Sequence, residues 1–129
     1  MLFKRKEGFR FAFGEPVPAN FVILVNGKPV DIEQSINPCQ ILDISPRGIK
    51  MFTEVDIGEH MNKLLQLEVI FVLDVTTIRA VGEIVWSRPY GRGKHYGLIF
   101  DNQPLIEGLI ISELKMRRKK EIKRGKVGK

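Results

Sequence analysis

The chain has 129 residues, one cysteine and a formal net charge of +6, with 43% hydrophobic and 28% charged residues. That length and composition give one globular domain with a real core, and the lone Cys39 excludes an internal disulfide and a cysteine-based zinc site. The charge is unevenly placed. From Lys115 onward nine basic residues face only Glu121, while residues 1–114 hold 12 basic and 14 acidic side chains. The basicity therefore belongs to a tail, which argues against a nucleic-acid-binding domain, whose folded face would carry the charge.

Residues 1–18 read as a basic arm: Lys4, Arg5, Lys6 and Arg10, then Gly14, Pro16 and Pro18. The glycine and prolines predict irregular chain near its end. No apolar segment follows the first basic residues, so no signal peptide is expected, and no run reaches the roughly 18 apolar residues of a membrane span. The expected compartment is the cytoplasm.

Phe21 to Val25 is an apolar run ending at Asn26-Gly27, a hairpin signal. Gln40 to Ile44 and Ile49 to Thr53 are two further strands around the turn Asp43-Ile-Ser45-Pro46-Arg47-Gly48. Cys39 in this context reads as a buried strand thiol with no base beside it. Leu65 to Val75 alternates with period two: Leu65, Leu67, Val69, Phe71, Leu73 and Val75 share a face. Ile78, Ala80, Gly82, Ile84 and Trp86 repeat the pattern, which places Trp86 with the core or at a barrel mouth. Arg88 to Lys94 reads as a turn and Tyr96 to Phe100 as the last strand.

The period then changes. Pro104 suits the first turn of a helix, with Asn102 or Gln103 as its cap, and the apolar positions run at helical spacing to about Lys120. Short strands followed by one helix predict an all-β antiparallel barrel with a C-terminal helix. The divisions expected are an arm over 1–18, a barrel over 19–101, and a helix with a basic tail over 102–129.

No nucleophile, acid–base pair or metal-ligand pattern surrounds His60 or His95, and Gly91-Arg92-Gly93 lacks the length and ending of a phosphate loop. No enzyme, metal or cofactor is expected. Binding is easier to assemble. Arginine presents a planar fork to the guanine O6 and N7 edge, and successive N–H groups of a tight turn cradle phosphate. Asp43 supplies an acceptor. The arm also reads as a disordered basic terminus, and the turn as a plain hairpin closure.

Arg5-Lys6-Glu7-Gly8-Phe9-Arg10, the Asp43-x-Ser45-x-x-Gly48 turn, Gly82-x-x-x-Trp86 and His95-Tyr96-Gly97-Leu98-Ile99-Phe100 together resemble the PilZ family, over about residues 4–101. The resemblance implies a bacterial six- or seven-stranded antiparallel barrel that binds cyclic di-GMP and signals through it. It implies ligand contacts from the arm, at Arg5, Lys6 and Arg10, and from the turn, at Asp43, Ser45 and Gly48. It also implies a bordering place for Trp86. Lys6 stands where the family's first arginine stands; lysine keeps the charge and loses the fork and the stacking plane. That departure carries the alternative of an adaptor without nucleotide binding. A downstream protein partner is implied but not named. The C-terminal helix reads either as a solvated end or as an element of docking or self-association.

Overall fold

The computed structural model describes residues 10–30, 36–58 and 65–127. Among the described residues, seven strands precede one helix: β1 (Phe11–Val25), β2 (Lys28–Pro29), β3 (Asn37–Ser45), β4 (Gly48–Thr53), β5 (Leu65–Val72), β6 (Thr77–Tyr90), β7 (Gly93–Ile99) and α1 (Pro104–Val127). The sheet order is β2-β1-β3-β4-β7-β6-β5, and pairing of β1 with β5 closes six strands into an antiparallel barrel with β2 as an extra strand. β1 closes the barrel because it serves two neighbours. Its stretch from Phe11 to Phe21 pairs with β3, and Asn20 to Val25 pair with β5.

Period-two patterning aims the core inward. Phe21, Ile41, Ile49, Met51, Leu67, Val69, Ala80 and Phe100 are wholly buried. Asn26 and Gly27 turn the β1–β2 hairpin with φ of 56° and 78°, the left-handed pair that a two-residue turn requires. Cys39 is buried in this core, and burial pushes its thiol up to about 12. Mass spectrometry after treatment with iodoacetamide at pH 8 is therefore expected to find Cys39 unmodified in the native protein and alkylated in urea; rapid native alkylation would contradict the burial.

Four details of the strands depart from the sequence reading. Residues 11–18 are strand, not irregular chain. Their register against β3 breaks between Ala12 and Val17, and this stretch of β1 has no β5 alongside, so Pro16 and Pro18 sit where an edge tolerates a missing N–H. The alternating run from Leu65 stops at Val72, and Val75 stands 71% exposed in the following turn. The β6–β7 turn is narrower than Arg88 to Lys94: only Gly91 and Arg92 separate the strands. Finally, the β6–β7 ladder shifts register between Ile84 and Trp86. One extra residue in a strand reverses the facing of the residues after it, so Trp86 leaves the core side and is 40% exposed.

The helix begins as its sequence suggests. The Gln103 carbonyl accepts from Glu107 N at 3.0 Å, which makes Gln103 the cap, and Pro104 occupies the first turn. The Gln103 side chain instead donates to the Val81 carbonyl at 2.8 Å, pinning the helix start to β6. Ile110 and Leu114 are buried against the barrel, with Ile106 and Leu109 packed beside them, while Leu105 is exposed. Helix α1 extends to Val127, past the expected end near Lys120.

Its second anchor is Glu113, which is 5% exposed. One oxygen, Oε1, accepts from three consecutive amides of the β5–β6 turn: Asp74 at 2.8 Å, and Val75 and Thr76 each at 3.1 Å. Beside it, Arg117 donates to the Leu73 carbonyl at 2.9 Å and Lys120 pairs with Asp74 at 2.6 Å. The guanidinium groups of Arg117 and Arg118 lie 5.1 and 5.5 Å from the ring centroids of Phe13 and Phe11.

Candidate functional site

The Asp43–Gly48 segment is the tip of the β3–β4 hairpin. Ser45 and Gly48 form its last pair, and Pro46 and Arg47 make the turn. The Ser45 hydroxyl faces inward: it accepts from Arg47 N at 3.3 Å, donates to the Gly48 carbonyl at 3.5 Å, and the residue is fully buried. It holds the turn together. Phe100 N donates to the Arg47 carbonyl at 2.7 Å, tying the same turn to the chain after β7. Gly48 packs so closely on β7 that a Cβ would lie 2.4 Å from the Leu98 carbonyl oxygen.

Asp43 points outward from β3 beside a register shift, paired in the ladder with Ala12 of β1 and Lys50 of β4. Arg10, directly before β1, donates from Nε to Asp43 Oδ1 at 2.8 Å. The Arg10 and Asp43 side chains are 43% and 21% exposed. A pair this exposed stabilises the fold by only about 0–1 kcal/mol.

Next to this pair opens a cleft of about 320 Å³, with Arg10, Asp43, Arg47, Gly48, Lys50 and Trp86 among its lining residues. Its floor is β7 backbone. Gly97 has no side chain, and the Trp86 indole lies across it in the space a Cβ would take. The Arg88 guanidinium sits 5.6 Å from the Trp86 ring centroid. Arg47 is held from the helix side by Glu107, Nε to Oε2 at 3.3 Å. The cleft thus combines cations, one carboxylate acceptor and a flat aromatic ring laid over the β7 backbone. These are the groups that recognise a planar, anionic ligand.

Of the residues expected from the sequence, Arg10, Asp43, Gly48 and Trp86 come together here. Ser45 underlies the site without facing it, and Arg5 and Lys6 lie outside the described residues. Arg47, Lys50 and Gly97 were not anticipated as lining residues. Arg47 sits within the turn motif itself, and Lys50 is outward by alternation between Ile49 and Met51, but only the cross-strand register brings Lys50, Gly97 and Trp86 into one row. A larger cavity of about 730 Å³ lies between β1, β5 and Arg117. It shares no residue with this site. Among the described residues no cluster of three or more His, Cys, Asp or Glu side chains could hold a metal ion, and no helix is long and apolar enough to cross a membrane.

A closed six-stranded antiparallel barrel thus carries a basic, aromatic-edged cleft at one hairpin. The sequence model of the PilZ domain family matches residues 5–115, and the chain belongs to that family. The family is one of cyclic di-GMP-binding domains, which work as binding and adaptor modules. No curated protein sequence matches significantly.

Proposed function

We propose that this protein is a cytoplasmic, non-enzymatic receptor for cyclic di-GMP that binds the nucleotide in the cleft between Arg10, Asp43 and Trp86. The observation that carries this reading is the Arg10–Asp43 contact at 2.8 Å, which sets the end of the basic arm against the hairpin tip at the mouth of that cleft. Cyclic di-GMP carries two guanines and two phosphodiesters. Arg10 matches the phosphates and the guanine O6 and N7 edge, Asp43 matches the guanine donors, and the Trp86 ring offers an apolar border. On binding, Arg10 exchanges part of its bond to Asp43 for ligand bonds. Arg5 and Lys6, four to five residues upstream, close over the nucleotide from the arm. Gly48 lets the hairpin tip pack directly on β7, and Ser45 holds the turn in shape. The ordered arm then presents a different surface to a downstream protein.

Isothermal titration of the full chain with cyclic di-GMP tests the reading. Saturable heat is expected for the wild type. Arg10→Ala is expected to weaken binding by at least about tenfold, the loss of one or two charge-assisted hydrogen bonds worth about 1.5–3 kcal/mol each. Absence of heat at saturating nucleotide, with the protein folded, would leave the other reading: an adaptor that has lost nucleotide binding. Lys6, in place of an arginine, is the feature that favours it.

A further inference from the structure

The outer face of β4, β7 and β6 carries a second surface, running from Trp86 to the β6–β7 turn. The strand register builds it. Phe52 lies opposite His95, which lies opposite Arg88; Lys50 lies opposite Gly97, which lies opposite Trp86; and Tyr90 closes the hairpin against Gly93. The Tyr90 ring stacks on His95 with centroids 4.3 Å apart at 19°, and Phe52 meets both rings edge-on at 5.9 Å. Gly97 leaves a hollow in β7 that the Trp86 ring occupies, and Gly93 lies against the Thr53 carbonyl with the Phe52 ring edge beside it. These rings are held by their neighbours, so little rotamer freedom remains to be lost on binding.

The ledge is nevertheless open: Tyr90 is 60%, Val85 54% and Trp86 40% exposed. Tryptophan, tyrosine and arginine are the side chains that dominate binding energy at protein interfaces. Cations outnumber carboxylates here: Asp43 stands opposite Lys50 and Glu83 opposite Ile99, toward the cleft end of the face. Lys50 and Arg88 stand on this face and Arg92 at its tip, and none of the three forms a salt bridge among the described residues. Burial, then Lys50 and Arg88, hold the His95 imidazole below its usual range, so it adds no proton of its own at neutral pH.

We propose that this ledge is the docking site for an acidic segment of a different protein, whose carboxylates pair with Arg88 and Lys50 while its apolar side chains cover Trp86 and Tyr90. A second copy of the chain does not fit, because a symmetric contact would set these cations against themselves. Single-stranded nucleic acid binds by stacking bases on free ring faces. Here Trp86 has Gly97 beneath it and Arg88 above, and Tyr90 and His95 each spend a face on the other. The ledge shares Lys50, Val85 and Trp86 with the cleft, but the docking rests on its own rings and cations and is tested with no nucleotide present.

Trp86 is the only tryptophan, so its emission reports directly on the ledge. The full-length chain is titrated with a random copolymer of glutamate and tyrosine, exciting tryptophan alone. The basic tail will also attract the polymer, so the readout is the Trp86 signal and its dependence on ledge residues. A saturable change in Trp86 emission is expected, with the midpoint raised at least tenfold in the Arg88→Ala/Tyr90→Ala double variant, whose circular dichroism should match the wild type and whose thermal midpoint should stay well above the titration temperature. Oligodeoxythymidylate of equal charge is expected to leave the emission unchanged. No change in wild-type emission would overturn the proposal. So would an equal midpoint in the double variant, or an equal response to oligodeoxythymidylate, the last marking a nucleic-acid surface instead.

Discussion

Glu113→Ala is expected to lower stability by roughly 3–5 kcal/mol, a fall of about 10–20 °C in the thermal midpoint for a domain of this size. Three successive amides of the β5–β6 turn converge on one carboxylate oxygen, and the residue bearing it is almost wholly buried. Stripping that acceptor leaves three N–H groups at a protein-covered site, each costing about 1–3 kcal/mol where water cannot replace the bond. Partial access of water to the turn sets the total below the simple sum. The loss has a structural consequence as well, because Glu113 is the deepest of the three side chains with which α1 holds this turn; Arg117 and Lys120 are the others. Glu113→Gln keeps an oxygen of the same shape without the charge and is expected to cost about half as much, since bonds to a charged acceptor are roughly twice as strong. Thermal unfolding followed by circular dichroism measures both. A loss under about 1 kcal/mol for the alanine variant would mean that the turn holds its shape without the helix.

Gly48→Val is expected to prevent folding, and Gly48→Ala to cost about 3 kcal/mol, the upper part of the range for overpacking a tight site. The atom that a new Cβ meets is the Leu98 carbonyl oxygen, which is backbone and cannot swing away. Relief requires β4 and β7 to separate where Gly48 faces Ile99, at the hairpin tip that carries Asp43 and Arg47. Nucleotide binding should therefore weaken together with stability. Gly14→Ala supplies the control: no atom lies within 4 Å of the added methyl, and the thermal midpoint should stay within about 2 °C of wild type. If Gly48→Ala unfolded at the wild-type temperature, the close approach of β4 to β7 would be wrong.

Much of this was legible in the chain. The alternation in β5, the Asn26-Gly27 turn and Pro104 are local signals, and each marks the element it should. The motifs that identify the family also lie in contiguous stretches. What escaped depends on register. Nothing local marks the extra residue between Ile84 and Trp86, yet it decides that Trp86 faces the cleft and not the core. Ser45 sits in an apparent ligand motif, but its hydroxyl is turned into the hairpin, and a serine that presents its oxygen is spelled no differently from one that hides it. Glu113 reads as an ordinary helix carboxylate until the β5–β6 turn, about 40 residues earlier, is brought against it. The strand character of residues 11–18 was masked by their prolines, which are tolerated because β5 leaves that part of β1 unpaired.

The double duty of β1 also has a bearing on how the chain reaches this state. Its last six residues wait for partners that lie 40 to 50 positions further along, at Leu65 to Ile70. Such distant pairing is slow, because the loop must close before any contact rewards it. Until then Phe21-Val-Ile-Leu-Val25 is an uncharged, proline-free, strongly β-forming edge. During synthesis this segment emerges well before β5 exists to cover it. The seam that completes the barrel is thus also the stretch through which unfinished chains would find one another.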